Sequence, residues 1–198
     1  MATPVTGRIM TDIKTSSWDK HDYSLLFYGL VRGQRPSICV ELGTYAGYSA
    51  YQIGTALKHN GFGVLYCYDL WEYYPFNKVP KKVAEDNLKG LPVNLCQEDA
   101  FGAYKHFGYM SVDLLNVDVS NDGDTYMKVL LEWYPYLSPL AYVLLEGGIK
   151  ERDEVGWMKK YNKKPIVSAL NNYQITKRYE INVLPYFPGL SILKKVAR

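Results

Sequence analysis

The stretch that decides the fold runs from Val40 to Ala50 and reads V-E-L-G-T-Y-A-G-Y-S-A. The apolar run Ile38–Leu42 leads into its first glycine, and a helical pattern with Ile53 and Leu57 on one face follows its second. A buried strand is therefore joined to a helix through a G-x-x-x-G turn, where glycine permits left-handed dihedral angles and close approach to a ligand. This spacing differs from the G-x-G-x-x-G of dinucleotide-binding folds and predicts a wider turn than a pyrophosphate needs.

Short apolar runs alternate with amphipathic stretches along the rest of the chain, which is typical of a parallel α/β sheet. The predicted strands are 38–42, 63–68, 93–96, 112–117, 142–145, 178–184 and 190–194. The predicted helices are 17–31, 47–60, 81–89, 100–107 and 152–161, together with one between the fourth and fifth strands. The first is expected to be capped by Ser16 or Ser17. The helix between strands four and five is expected to be capped by Asp122 or Asp124 and to end before Pro139. Residues 185–189 have hairpin length. The expected fold is a Rossmann-like doubly wound sheet of seven strands, mostly parallel with an antiparallel C-terminal hairpin, with helices on both faces.

Composition indicates a globular protein, with 47% hydrophobic and 22% charged residues among 198. At about 150 residues per domain, we expect a single domain over 1–198, in which 1–36 form a helical cover and 37–198 the core. No stretch approaches the roughly 20 apolar residues of a membrane span, so no membrane partner is expected. Each of the three cysteines lies in an apolar run, which predicts buried reduced thiols and a cytoplasmic location.

Charge is unevenly distributed around the net value of +3. Residues 150–198 hold 11 basic and 4 acidic side chains, which gives +7, whereas residues 1–149 hold 12 and 16, which gives −4. Two interpretations stay open for the basic section. It could attract an anionic partner, or it could form a solvated helix face and strand edge.

Five glycine or acidic residues fall at the carboxyl ends of predicted strands, namely Gly43, Asp69, Asp99, Asp118 and Glu146. In doubly wound sheets, ligands bind beyond the carboxyl ends of the strands. Five such residues in register predict a binding site at that edge.

The segment Val40–Ala50 resembles motif I of class I S-adenosylmethionine-dependent methyltransferases. It is most similar to O-methyltransferases of the catechol and caffeoyl-CoA type, in which V-E-[LI]-G-x-[YF]-x-G-Y-S-[AT] is the usual form. The macrolide-sugar O-methyltransferases resemble that type in the metal-binding residues that follow strands four and five. The resemblance extends in order over residues 38–195. It implies methyl transfer from S-adenosylmethionine to a small-molecule acceptor at oxygen, with S-adenosylhomocysteine as product.

Carried over by position, the resemblance implies that five residues of motif I lie at the methionine end of the cofactor. Glu41 and Gly43 would line that pocket, and Tyr45, Gly47 and Ser49 would lie close to it. Carboxylates suit the sulfonium and ammonium groups, and the start of the helix suits the cofactor's carboxylate.

The remaining cofactor residues follow later strands. By resemblance, Asp69 binds the ribose hydroxyls, and Asp99 and Ala100 meet the adenine amino group. Asp118 would lie near the cofactor's amino group and the reaction centre. For each aspartate, the other interpretation is a turn or helix-capping residue.

The chain departs from the catechol-type pattern at the metal. Those enzymes bind a divalent metal through an aspartate after strand four and an Asp-Asn or Asp-Asp pair after strand five. Asp118 retains the first ligand, but Glu146-Gly147 replaces the pair, so a metal is not favoured.

It also departs at the base, because the lysine expected three residues after Asp118 is Asn121. Asp118 and Glu146 are the predicted catalytic residues, and Asp122 and His21 are further candidates for the proton acceptor.

Two other function classes remain open at this point. The lost base and metal ligand are compatible with a non-catalytic S-adenosylmethionine-binding or assembly protein. A nicotinamide-dependent oxidoreductase is the other, and the glycine spacing argues against it. Nucleic-acid methylation is disfavoured, because 118–121 read D-V-S-N rather than Asn/Asp-Pro-Pro-Tyr.

The aromatic segment 71–76, W-E-Y-Y-P-F, follows the proposed ribose-binding aspartate. Large exposed apolar groups invite association. We therefore expect the segment either to wall the acceptor pocket or to pack against a second subunit, which would make the protein a homo-oligomer.

Overall fold

The computed structural model describes residues 22–77 and 79–196, and the chain divides into two compact units, 1–100 and 101–198. The first unit holds three parallel strands in the order β3-β2-β1. They are Ile38–Leu42 (β1), Val64–Asp69 (β2) and Val93–Gln97 (β3). Each lies within one residue of its predicted ends.

The helices of the first unit are Ser24–Gln34 (α1), Tyr48–Asn60 (α2) and Lys81–Asn87 (α3). The apolar face predicted for α2 is confirmed, since Ala50, Ile53 and Leu57 are fully buried. Helices α1 and α2 are joined by Asn60, whose side chain accepts a hydrogen bond from Arg32 at 2.7 Å and donates one to the Val31 carbonyl.

The predicted start of α1 is wrong. Asp22 and Tyr23 precede the helix, and the Asp22 carboxylate accepts the backbone N–H of Ser24, the first helical residue, at 2.7 Å in a local turn. The expected caps Ser16 and Ser17 lie outside the described residues.

The second unit holds four strands in the order β4-β5-β7-β6. They are Val112–Val117 (β4), Leu137–Glu146 (β5), Tyr179–Leu184 (β6) and Leu190–Lys195 (β7). Strands β4 and β5 are parallel, and β7 runs antiparallel to both β5 and β6. The Rossmann-like, mostly parallel sheet of seven strands with an antiparallel C-terminal hairpin is thereby confirmed.

Five helices accompany these strands: Gly123–Trp133 (α4), Lys150–Asp153 (α5), Gly156–Lys160 (α6), Ile166–Leu170 (α7) and Tyr173–Thr176 (α8). Of the two predicted caps, Asp122 is the one that precedes α4. The predicted end is wrong, because the helix ends at Trp133 and does not continue to Pro139. Pro139 lies within β5, where the pairing with β4 is irregular, and such irregularities accommodate a residue that lacks an N–H group.

Other corrections concern short helices. The predicted helix 152–161 is two helices interrupted at residues 154–155, and 100–107 contains only the 3-10 turn Ala103–His106. Helices α7 and α8 were not predicted, because a single turn carries too little periodicity to detect. In the described part of the chain, no helix is long and apolar enough to cross a membrane.

Candidate active site

The loop between β1 and α2 has a backbone that depends on glycine. Gly43 and Gly47 have φ angles of 85° and 95°, and a Cβ on Gly47 would lie 3.1 Å from the Leu88 side chain. Tyr45 between them also has a positive φ, 52°. Strained backbone of this kind persists only where the surroundings hold it, and it concentrates at functional sites.

Asp69, the last residue of β2, holds this loop in place. Its Oδ2 accepts the backbone N–H groups of Thr44 and Tyr45, both at 2.8 Å, and its Oδ1 accepts that of Trp71 at 2.7 Å. A carboxylate has about four acceptor positions, so three backbone contacts leave capacity for a ligand hydroxyl. The sequence indicated the position of Asp69 but not that it clamps the loop.

Trp71 belongs to the same construction. Its indole N–H donates to the Tyr45 carbonyl at 2.8 Å, and its side chain is fully buried. It therefore supports the loop from the interior, whereas the other three aromatic side chains of the segment, Tyr73, Tyr74 and Phe76, are exposed by 72%, 46% and 83%. Nothing in the sequence distinguishes this tryptophan from its aromatic neighbours.

Glu41, the next-to-last residue of β1, is fully buried. Its Oε1 accepts the Ser49 hydroxyl at 2.5 Å and its Oε2 accepts the Cys67 thiol at 3.6 Å. Burial and the nearby Glu41 carboxylate raise the pKa of the Cys67 thiol well above its ordinary value. The structure thus brings together Glu41 and Ser49, two residues that the resemblance assigned to one pocket.

Asp99 and Ala100 follow β3 by two and three residues. Asp99 is exposed, whereas Ala100 is buried. The end of β3 is tied to the end of β2, because the Gln97 side-chain amide donates to the Leu70 carbonyl at 3.3 Å.

In the second unit, Asp118 begins a network of polar side chains just after β4. The Asn121 amide donates to Asp118 Oδ1 at 2.8 Å, and the Tyr126 hydroxyl lies 2.9 Å from both Asn121 Oδ1 and the Glu146 backbone carbonyl. Ser120 in this loop has a φ of 51°. Asn121 and Tyr126 were missed as site residues in the sequence.

Glu146, the last residue of β5, is bound to a buried cation. Its Oε1 accepts both Nε and a terminal nitrogen of Arg152 at 2.8 Å. Arg152 is only 1% exposed, and its guanidinium lies 5.0 Å from the centre of the Trp157 ring. This pair disfavours Glu146 as a proton acceptor, because protonation would leave a buried guanidinium without its counterion.

Arg152 also accounts for the glycine at position 147. A Cβ there would lie 2.7 Å from the Ile166 side chain and 3.2 Å from Cγ of Arg152, and φ is 97°. The space in which the catechol-type pattern has a third metal ligand is filled by these two side chains.

The donor set therefore does not suit a divalent cation, since Glu146 already binds a guanidinium and Gly147 offers no side chain. Within residues 22–77 and 79–196, no three His, Cys, Asp or Glu side chains are grouped so that they could hold a metal ion.

Asp122 carries two structural contacts. One oxygen caps α4 by accepting the N–H of Thr125 at 3.0 Å, and the other pairs with Lys163 at 2.8 Å. With its side chain almost fully buried, Asp122 is poorly suited to take a substrate proton. The other candidate, His21, lies outside the described residues.

Residues 40–146 match the model of a family described as a methyltransferase domain. The matched segment covers more than half of the chain, from β1 and the glycine loop to the last residue of β5. The chain belongs to this methyltransferase family. A comparison with curated proteins gives no match.

Three solved structures similar to this methyltransferase come from two bacteria and one fungus. The O-methyltransferase TomG from Streptomyces achromogenes, involved in tomaymycin synthesis and solved with S-adenosylmethionine, is 19% identical with a TM-score of 0.64, covering 94% of this chain and 83% of TomG. The methyltransferase PaMTH1 from Podospora anserina, solved with S-adenosylhomocysteine, is 18% identical with a TM-score of 0.64, covering 94% and 85%. The O-methyltransferase from Bacillus cereus, also solved with S-adenosylhomocysteine, is 15% identical with a TM-score of 0.63, covering 89% and 83%.

At these identities the likenesses show the fold of the methyltransferase. Together with the family match, they confirm that the chain is a methyltransferase with the predicted Rossmann-like fold.

Proposed function

We propose that the enzyme transfers the methyl group of S-adenosylmethionine to an oxygen of a small-molecule acceptor and releases S-adenosylhomocysteine. The observation that carries this proposal is the glycine loop clamped by Asp69, inside the segment that matches the methyltransferase family. The solved O-methyltransferases of similar fold, with either form of the cofactor bound, support the choice of donor and of oxygen.

In this proposal, the methionine end of the cofactor is bound by motif I, that is by Glu41, Gly43, Tyr45, Gly47 and Ser49. The buried Glu41 carboxylate provides negative charge there, and the hydroxyl of Ser49 holds its orientation. The left-handed glycines allow the backbone to approach the ligand without a Cβ in the way.

The nucleoside end is assigned to residues that follow β2 and β3. Asp69 binds the ribose hydroxyls and accepts a hydrogen bond from one of them at the acceptor position that its three backbone contacts leave. Asp99 accepts from the adenine amino group, and Ala100 packs beside the ring.

Catalysis needs little from the protein beyond alignment, because the cofactor supplies a methyl group already activated by its sulfonium. The residues hold the acceptor oxygen in line with that carbon. Of the two residues predicted to be catalytic, Asp118 and Glu146, we propose Asp118 as the proton acceptor, at a position near the cofactor's amino group. The ion pair with Arg152 favours a supporting role for Glu146, which fixes the end of β5.

We further propose one methyltransferase domain over 1–198, with 1–36 as its cover and 37–198 as its core, and a cytoplasmic location. The absence of a disulfide among Cys39, Cys67 and Cys96 supports that location. No nucleic-acid or membrane partner is proposed. We also propose a homo-oligomer in which the aromatic segment packs against a second subunit, and the exposure of Tyr73 and Phe76 supports it.

The first test is calorimetric titration with S-adenosylhomocysteine and, separately, with NADH. We expect binding of the first only, and binding of NADH alone would favour an oxidoreductase. An acceptor screen with methyl-labelled S-adenosylmethionine follows, in which Asp118→Asn should lower turnover at least about 100-fold. Glu180→Gln, a change at an exposed carboxylate, is the matched control.

A non-catalytic binding protein is the second candidate, favoured by Asn121 in place of the lysine. It predicts S-adenosylhomocysteine binding without label transfer to any acceptor. For the enzyme, turnover should persist when a chelator is added. If the chelator abolishes turnover and Mg²⁺ restores it, Asp118 and Glu146 are metal ligands.

A further inference from the structure

The buried residue Tyr126 connects two strand ends of the second unit through one hydroxyl group. It projects from α4, is fully buried, and its hydroxyl lies 2.9 Å from the Glu146 carbonyl at the end of β5. The same hydroxyl lies 2.9 Å from Oδ1 of Asn121, in the loop after β4. Tyrosine is costly to bury without partners for its hydroxyl, so this group is committed to these contacts.

Asn121 is held at both ends of its side-chain amide. An amide has a donor end and an acceptor end, and Asn121 turns its NH₂ toward the Asp118 carboxylate and its oxygen toward the tyrosine. The opposite orientation would set two acceptor oxygens against each other at Asp118. The acceptor-only carboxylate therefore selects the orientation in which Asp118 receives a hydrogen bond of 2.8 Å from Asn121, and the Tyr126 hydroxyl holds the amide at its other end.

The loop that carries these groups is held in an unfavourable backbone conformation. Ser120, between Asp118 and Asn121, has a φ of 51°, in the left-handed region that non-glycine residues seldom adopt. Such a conformation persists where surrounding contacts over-determine it. The hydrogen bond between Asn121 and Asp118 spans Ser120 and provides that support, and the Tyr126 hydroxyl holds Asn121 in turn.

We propose that Tyr126 and Asn121 are positioning residues, which orient the Asp118 carboxylate for the cofactor's amino group. This inference rests on the proposed function, in which Asp118 meets that group. A neutral amide donor holds the carboxylate without cancelling its charge, whereas a lysine in place of Asn121 would compete with the ammonium of the ligand.

The test compares two ligands that differ only in the part Asp118 would touch. S-adenosylhomocysteine carries the amino-acid group, whereas 5′-methylthioadenosine has the nucleoside and thioether without it. We expect Tyr126→Phe and Asn121→Ala each to weaken S-adenosylhomocysteine binding about 10-fold, because both leave Asp118 misaligned and so weaken its hydrogen bond to the ligand's charged amino group. Binding of 5′-methylthioadenosine should stay unchanged within twofold.

The matched control is Tyr179→Phe, which removes another buried tyrosine hydroxyl of the same unit, bonded to the Leu130 carbonyl at 2.7 Å. A purely structural hydroxyl should lower stability and leave both affinities unchanged. Asn121→Ala serves alone if Tyr126→Phe does not fold by circular dichroism.

Equal losses for both ligands, or no loss for S-adenosylhomocysteine, would overturn the positioning role while leaving the proposed function intact. A wild-type protein that binds neither ligand would instead overturn the proposed function, and the positioning role with it.

Discussion

The two units hold the carboxylates at their strand ends by different means. In the first, Asp69 accepts three backbone N–H groups. In the second, Asp118 and Glu146 are held by the side chains of Asn121 and Arg152. Every residue except proline carries a backbone N–H. The hydrogen bonds of the first arrangement therefore do not depend on particular side chains, whereas those of the second depend on the identity of two residues.

The largest effect is expected from breaking the second arrangement at Arg152. Arg152→Met keeps much of the side-chain volume but leaves the Glu146 carboxylate, 17% exposed, without its buried counterion. Removing one partner of a buried pair costs about 3–5 kcal/mol, and urea unfolding followed by circular dichroism measures it. Lys150→Met, at a side chain 85% exposed in the same helix, should change the free energy of unfolding by less than about 0.5 kcal/mol.

The double variant Arg152→Met with Glu146→Gln sharpens that result. Removing both charges should recover much of the lost stability, because no uncompensated carboxylate remains. A single variant as stable as the wild type would mean that the ion pair does not hold the end of β5.

A smaller effect is expected from the first arrangement. Asp69→Ala removes both the loop clamp and the proposed ribose acceptor, and calorimetry should show S-adenosylhomocysteine binding weakened by about 1.5–3 kcal/mol. Asp69→Asn, which keeps one carbonyl acceptor, should lose less.

Asp86→Ala, at an exposed carboxylate of the same unit, should bind as the wild type does. Unchanged affinity in Asp69→Ala would remove Asp69 from the ribose role.

The smallest effect concerns pH and the thiol beside Glu41. Burial and Glu41 raise the folded-state pKa of Cys67, so folding favours the protonated thiol. Its stabilising contribution is complete below the unfolded thiol pKa of about 8.5 and is lost as pH rises toward the folded value.

The urea midpoint should therefore fall more between pH 7.5 and 9.5 in the wild type than in Cys67→Ala. The difference between the two proteins cancels groups that both retain. Parallel pH dependences would show that Cys67 does not titrate differently on folding.

The sequence predicted the features that local pattern determines. Strands β1 and β4 were predicted with their observed ends, because each is a short apolar run bounded by polar residues. The glycine loop and Asp69 were located for the same reason, since they directly follow such runs.

The residues that sequence reasoning missed act across distance in the chain. Arg152 reaches back six residues to Glu146 from a helix of four residues, and its burial depends on Trp157. Pro139 was misread as a helix stop because the irregular pairing that admits it into β5 is a property of two strands together. Such relations arise from tertiary packing and leave no periodic signal.

The clamp on the glycine loop has a consequence for the entropy of ligand binding. Because Asp69 fixes Thr44, Tyr45 and Trp71 through their backbones, folding rather than ligand capture absorbs the ordering cost of that segment. Binding free energy is reduced by every group that must be immobilised on association. A loop already ordered in the free protein leaves more of the contact energy available as affinity.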